Sequence, residues 1–214
     1  AVLEAVFARE DRLSDLLDAI ENGVIQLRDI NALRREQLTK SQYEDVAERA
    51  TTLLAEPDAD AEFQRRANRY QQALAFKTNS KRGQEVFAKH CLACHQVNKE
   101  GHEVGPPLGS VINKPDEAIL LDILDPSRHI ESDFTSYLVV THQGLTFTGI
   151  LASDSATSVT LRKDKGASET ILRKDIEVME ASQLSLMPSN LYEQINPQDM
   201  ANLIAYLREV FGKK

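Results

Sequence analysis

The chain has 214 residues, with 25 basic and 33 acidic side chains giving a formal net charge of −8, and it is 42% hydrophobic and 27% charged. These proportions exclude a wholly disordered or low-complexity chain, and the acidity argues against a phosphate-reading surface or a polybasic membrane anchor. With only two cysteines, Cys91 and Cys94, no disulfide framework is available, and the length suggests two modest domains.

From Val2 to about Phe76 apolar residues recur at helical spacing. Leu3, Val6, Phe7, Leu13, Leu16, Leu17 and Ile20 predict a first helix stopped at Asn22-Gly23. Leu27, Ile30, Leu33 and Leu38 predict a second. Tyr43, Val46, Ala47, Ala50, Leu53 and Leu54 predict a third, ending at Glu56-Pro57, and Phe63, Ala67, Tyr70 and Leu74 a fourth. Four helices with short connections read as a helical hairpin array over 1–76. The first of them opens without a Met or a cap and with no signal peptide in this numbering, as expected of a piece cut from a longer protein.

From Asn79 the pattern is a helix capped by Asn79 or Ser80, then Cys91-Leu92-Ala93-Cys94-His95, then a Gly- and Pro-containing loop from Gly101 to Gly109. Another short helix starts at Pro115, presents Ile119, Leu120, Ile123 and Leu124, and stops before Pro126. Between Thr135 and Glu180 the period becomes two: Tyr137, Val139 and Thr141; Thr146, Thr148 and Ile150; Val159 and Leu161; Ile171; Ile176 and Val178. Turns at Gln143-Gly144, Ser153-Asp154-Ser155 and Lys163-Asp164-Lys165-Gly166 separate four or five short strands, enough for a small antiparallel sheet or barrel. A loop through Leu186-Met187-Pro188 leads to a last helix from Pro197 whose inner face carries Met200, Leu203, Ile204, Leu207 and Val210.

The chemistry concentrates in Cys91-x-x-Cys94-His95. Two thiols about one helical turn apart suit the two vinyl groups of a c-type haem, and the adjacent His suits its iron. A thioredoxin-like dithiol and half of a zinc site are the rivals. The dithiol would be expected after a strand at a helix start, and zinc would have to recruit His90, His102, His129 or His142. Pro106, in Gly105-Pro106-Pro107-Leu108, has no N–H but offers a carbonyl suited to accept the Nδ1–H of a ligating His95. A second axial ligand is expected from one of three methionines. Met179 lies in the alternating stretch and Met200 on an apolar helix face, whereas Met187 sits in a loop that no periodicity explains, so Met187 is the candidate distal ligand and His129 its competitor. His90, His102 and His142 read as surface residues. Phe87, Leu92, Leu108, Ile112 and Leu191 are candidate walls of the pocket.

These residues resemble class I cytochromes c. Gly83 and Phe87 precede the motif as in that family's first helix, Gly105-Pro106-Pro107-Leu108 is similar to its proximal loop, Met187-Pro188 to its distal loop, and Leu203-Ile204-Ala205-Tyr206-Leu207 to its last helix. The resemblance implies that the first and last helices cross at Gly83 with aromatic residues beside it. The 92 residues from His95 to Met187 exceed a minimal member, which an insertion over 135–181 would explain. A narrower resemblance is to the haem-binding domain of planctomycetes and verrucomicrobia, through Arg82-Gly83, the motif, Gly105-Pro106, Asp125-Pro126-Ser127, the Tyr137 strand, Arg173-Lys174-Asp175-Ile176 and Ser185-Leu186-Met187-Pro188. It implies a place in a large secreted protein with helical repeats and a dehydrogenase-like propeller.

The expectation is therefore an α+β protein, mainly α with a β insertion. Residues 1–76 would be a helical, repeat-like segment, and 77–214 a cytochrome c haem domain interrupted at 135–181. It would bind one covalent haem c through Cys91, Cys94, His95 and Met187, with Phe87, Pro106 and Leu108 around it. It would act in electron transfer rather than as an enzyme, with a redox partner protein or fused dehydrogenase, as a monomer or part of a longer chain, in the periplasm or exported. A haem-based sensor or ligand-binding domain gated by the β segment is the alternative. Docking of a partner by an SH3-like β module is a further one, and a peroxidase ranks below these.

Overall fold

The computed structural model describes residues 10–25, 30, 32–55 and 59–212. Leu3, Val6, Phe7, Leu27 and the Glu56-Pro57 stop therefore lie outside the described residues. The chain divides into two compact units. One is Ala1–Pro57 with Ser136–Leu161 and Glu169–Leu184, and the other is Asp58–Thr135 with Arg162–Ser168 and Ser185–Lys214.

The first unit begins with α1 (Glu10–Glu21), α2 (Ala32–Thr39) and α3 (Glu44–Leu53). The chain leaves α1 through Gly23 at φ +69°, a conformation that costs a residue without Cβ nothing, and the Gly23 N–H closes on Ile20 O. Leu13, Leu16, Leu17, Ile20, Leu38, Val46 and Ala50 form the helical core. The same unit holds most of a five-stranded antiparallel sheet made of β3 (Ser136–Thr141), β4 (Thr146–Asp154), β5 (Ser158–Arg162), β6 (Ser168–Leu172) and β7 (Ile176–Ala181), in the open order β6-β5-β4-β3-β7. Tyr137 lies opposite Gly149 on β4 and Ala181 on β7, and the β3–β7 register slips between Val140 and Thr141. Val139, Val159, Leu161 and Ile171 bury one face of the sheet, as the period of two requires. Met179 packs against this cluster and so is a strand residue.

The second unit is built on α4 (Ala59–Ala73), α5 (Ser80–His90), α6 (Asp116–Leu124) and α7 (Pro197–Gly212). A two-residue hairpin, β1 (Gln96–Val97) with β2 (Glu100–Gly101), follows the Cys-x-x-Cys-His stretch. Its turn residues Asn98 and Lys99 both have positive φ, 50° and 70°, the conformation a two-residue hairpin turn demands. Helix α4, grouped by its sequence with the preceding helices, shares this unit's core through Ala67 and Tyr70. The Tyr70 hydroxyl lies 2.7 Å from Tyr192 O and 2.8 Å from Ile195 O, so its one proton serves two carbonyls.

Helices α5 and α7 cross at Gly83. A Cβ there would stand 1.9 Å from Asn202 O and 2.8 Å from Tyr206 Cβ, so only glycine permits the approach. Phe87 packs beside the crossing with its ring 5.7 Å from that of Tyr206 at an angle of 52°, and the Asn79 N–H donates to Asn202 Oδ1 at 2.8 Å. Asn79 also caps α5, its Oδ1 accepting from Arg82 N at 3.1 Å. Met200 is completely buried among Leu203, Ile204 and Leu207, which confirms a packing role. Among the described residues no helix is long and apolar enough to cross a membrane.

Candidate haem-binding site

Helix α5 ends on the motif. Cys91 is its C-terminal cap, and Phe87 O accepts from both Cys91 N (2.9 Å) and Leu92 N (3.1 Å), which widens the last turn. Cys91 O then accepts from Cys94 N at 3.0 Å and His95 N at 2.9 Å, a further turn that sets Cys91, Cys94 and His95 along one short bend. Cys94 O accepts from Val104 N (3.0 Å) and Gly105 N (2.8 Å), and this clips the distant loop onto the motif.

His95 is 9% exposed. Its Nδ1 lies 3.1 Å from Pro106 O, and because a carbonyl only accepts, the proton belongs on Nδ1 and the lone pair on Nε2. Burial pulls the His95 pKa down and the bond to Pro106 opposes it, so the ring is neutral at neutral pH, the form that binds iron. Gly105 makes room for the ring: a Cβ there would lie 2.4 Å from Cε1 and 2.8 Å from Nε2. Gly101, at φ +90°, passes equally close to the bend, where a Cβ would meet His95 O at 2.3 Å.

Both cysteines are unpaired thiols. Burial, then the neighbouring Cys94, pushes the Cys91 thiol up to about 12, and burial, then Asp164, pushes Cys94 up. A dithiol exchange site needs a depressed pKa at a helix start, and here the pair sits at a helix end with its pKa values raised. Zinc also lacks support, since among the described residues no three His, Cys, Asp or Glu side chains assemble as a metal site. The arrangement that does fit is thioether attachment beside a neutral, oriented imidazole.

Phe87 is buried in the core against which Cys91, Leu92, Leu108 and Met187 pack, half-buried, and Leu191 is buried in the same cluster. Pro106 and Ile112 are half-buried. Met187 lies in the loop after β7, in the unit that contains His95. Ser127, in the turn after α6, accepts from Ser185 N at 3.1 Å, and Ser185 Oγ accepts from Met187 N at 3.1 Å. This two-serine tether is not legible in the sequence, although Asp125-Pro126-Ser127 and Ser185 stand out as motif residues. His129 and His142 are exposed, whereas His90 and His102, expected on the surface, are half-buried. The β1–β2 hairpin and the Leu108–Asn113 3-10 turn are likewise not foreseen from the sequence. Asn98-Lys99 is the one local signal for the hairpin.

Residues 80–137 match the family model for Cytochrome c. The match supports a cytochrome c haem-binding domain within the chain. The match spans α5, the attachment motif, the Gly105-Pro106 loop and α6 and ends at the second residue of β3. The match supports covalent haem c with iron as the cofactor, Cys91 and Cys94 fitting the Cys-x-x-Cys-His attachment motif, and electron transfer as the work of such a domain. Comparison with curated proteins returns no match.

Proposed function

We propose that the chain is a monohaem electron-transfer module in which His95 and Met187 are the axial ligands and electrons arrive from a dehydrogenase, fused or separate. One observation carries the reading: His95 is buried, neutral and fixed at Nδ1 by Pro106 O, so Nε2 is left for iron one residue from Cys94. When bound, haem c supplies a one-electron couple at its iron. The residues set its conditions. Phe87, Leu108 and Leu191 keep the site apolar, and the soft Met187 thioether favours the reduced state and so a high potential. The tether through Ser185 and Ser127 limits the wandering of Met187, which lowers the entropy cost of ligation.

The reading extends to the chain's organisation. The family match stops at the start of the sheet, yet α7, beyond the sheet, packs on α5 at Gly83. That supports a haem domain whose two parts flank an insertion at 135–181, with α4 added to the core of the expected 77–214 domain. Thioether attachment to haem belongs to an oxidising, non-cytoplasmic compartment, so the module works in the periplasm or beyond.

The test is one pair of spectra. The reduced chain shows c-type haem bands, and Met187→Ala loses the oxidised-state signature of a thioether ligand. Absence of c-type bands removes the haem reading, and an unaltered signature in the variant removes Met187. The alternative, a haem-based sensor or ligand-binding domain, draws on Met187 being only half-buried in an irregular loop. Rapid stoichiometric carbon monoxide binding to the reduced wild type would favour it over the closed electron-transfer module.

A further inference from the structure

The segment Arg162–Ser168, which joins β5 to β6, belongs to the same compact unit as the haem motif. It is a tight, self-bonded tip: Lys163 N donates to Ala167 O at 2.7 Å and Ala167 N to Asp164 O at 3.2 Å. Lys165 and Gly166 both have positive φ, 56° and 70°. The Lys165 peptide meets the attachment motif. Lys165 N donates to Ala93 O at 2.8 Å, between the two haem-bearing cysteines. Next to it Gly166 lies against the half-buried His102, where a Cβ would stand 3.0 Å from Nδ1. The peptide carbonyls of the bend are thereby engaged from three places: Cys91 O by the bend itself, Cys94 O by the 104–105 loop, and Ala93 O by the tip.

We propose that Lys163–Gly166 is a latch on the haem-attachment loop, with the Lys165 N–H as positioning group and the Gly166–His102 contact as seat. The inference rests on haem c at Cys91 and Cys94. The side chains of the tip need not touch the iron. The latch keeps Leu92-Ala93 folded back and excludes water from that side of the site, and exclusion of water favours the less charged, reduced state.

The test uses the full chain carrying haem. Gly166→Val, strained at φ +70° and pressed on His102, unseats the tip and lowers the potential. It also speeds hydrogen exchange at the Lys165 amide by at least about tenfold, the loss expected when a protecting bond opens. Lys165→Gly retains the N–H and the backbone angle, so exchange at residue 165 stays near wild type. A potential unmoved in Gly166→Val, or fast exchange at Lys165 in the wild type, would overturn the latch. Haem content is read separately from the c-type bands of the wild type, so a wild-type chain without thioether-bound haem defeats the haem assignment and is told apart from failure of the latch.

Discussion

Replacing Gly105 with alanine tests the geometry of the site most directly. The new Cβ would sit 2.4 Å from His95 Cε1, 2.8 Å from Nε2 and 2.9 Å from Nδ1, whereas carbon contacts are comfortable from about 3.5 Å. Gly105 cannot retreat freely because its own N–H is bonded to Cys94 O. The imidazole must therefore recede by about 1 Å. Such a shift carries Nδ1 from 3.1 Å to beyond hydrogen-bonding distance of Pro106 O. The lost bond costs about 1 kcal/mol and the overpacking about 1–3 kcal/mol, together roughly 2–4 kcal/mol. In a domain of this size that lowers the melting temperature by roughly 5–15 °C. The assay is a thermal melt of the haem-loaded chain followed by circular dichroism, with the spectrum of the oxidised protein recorded beside it. An alanine variant that melts within about 2 °C of wild type with the same spectrum would refute the claim that Gly105 is glycine to seat the ring.

Four further outcomes follow from the same structure. Gly83→Ala should push α5 off α7, because the obstruction is backbone at 1.9 Å, and cost about 3 kcal/mol or more in a urea titration; a cost under about 1 kcal/mol would contradict the crossing. Tyr70→Phe removes the proton shared by Tyr192 O and Ile195 O and should cost about 1–2 kcal/mol, with no change in the haem spectrum. Ser127→Ala should leave haem content intact while weakening the thioether signature, since Ser185 N loses its acceptor; an unchanged signature would show that the Met187 loop needs no tether. Arg82 holds the Asp199 carboxyl below its usual range, so the pair's contribution is present above about pH 4 and fades as pH falls through the lowered pKa. The melting-temperature gap between wild type and Asp199→Asn should therefore shrink between pH 6 and pH 3, and a constant gap would rule out the linkage.

The attachment motif could be read from residue identity, because two thiols and an imidazole are chemically distinctive and their spacing from Cys91 to His95 is short. The α5 cap at Asn79, the stop of α6 before Pro126 and the strand pattern from Tyr137 were legible for the related reason that capping, proline and period-two burial act locally. What the sequence concealed is long-range and carried by backbone. Helix α4 looks like a continuation of the preceding helices, yet Tyr70 commits it to the haem unit through carbonyls more than a hundred residues away. The turn Lys163–Gly166 is recognisable as a turn, but nothing local marks Ala93 O as the group it meets.

The same distinction explains why the site can depend on so few side chains. His95 is oriented by Pro106 O, its peptide by Cys91 O, and the loop that supplies Pro106 by Cys94 O. The residues that make this possible are glycines at 101 and 105, chosen for what they lack. Leu92 and Ala93 contribute no polar side chain, although Ala93 O holds one end of the network. Substitutions at 92 or 93 that keep size and polarity should therefore be silent for the network, whereas a single methyl at 105, or a Cβ at 101 where φ is +90°, acts on the ring or on its peptide directly. The orientation of the His95 ring is thus a property of how the chain is threaded past it, and the net charge of −8, most of it on residues before Lys77, has little part in it.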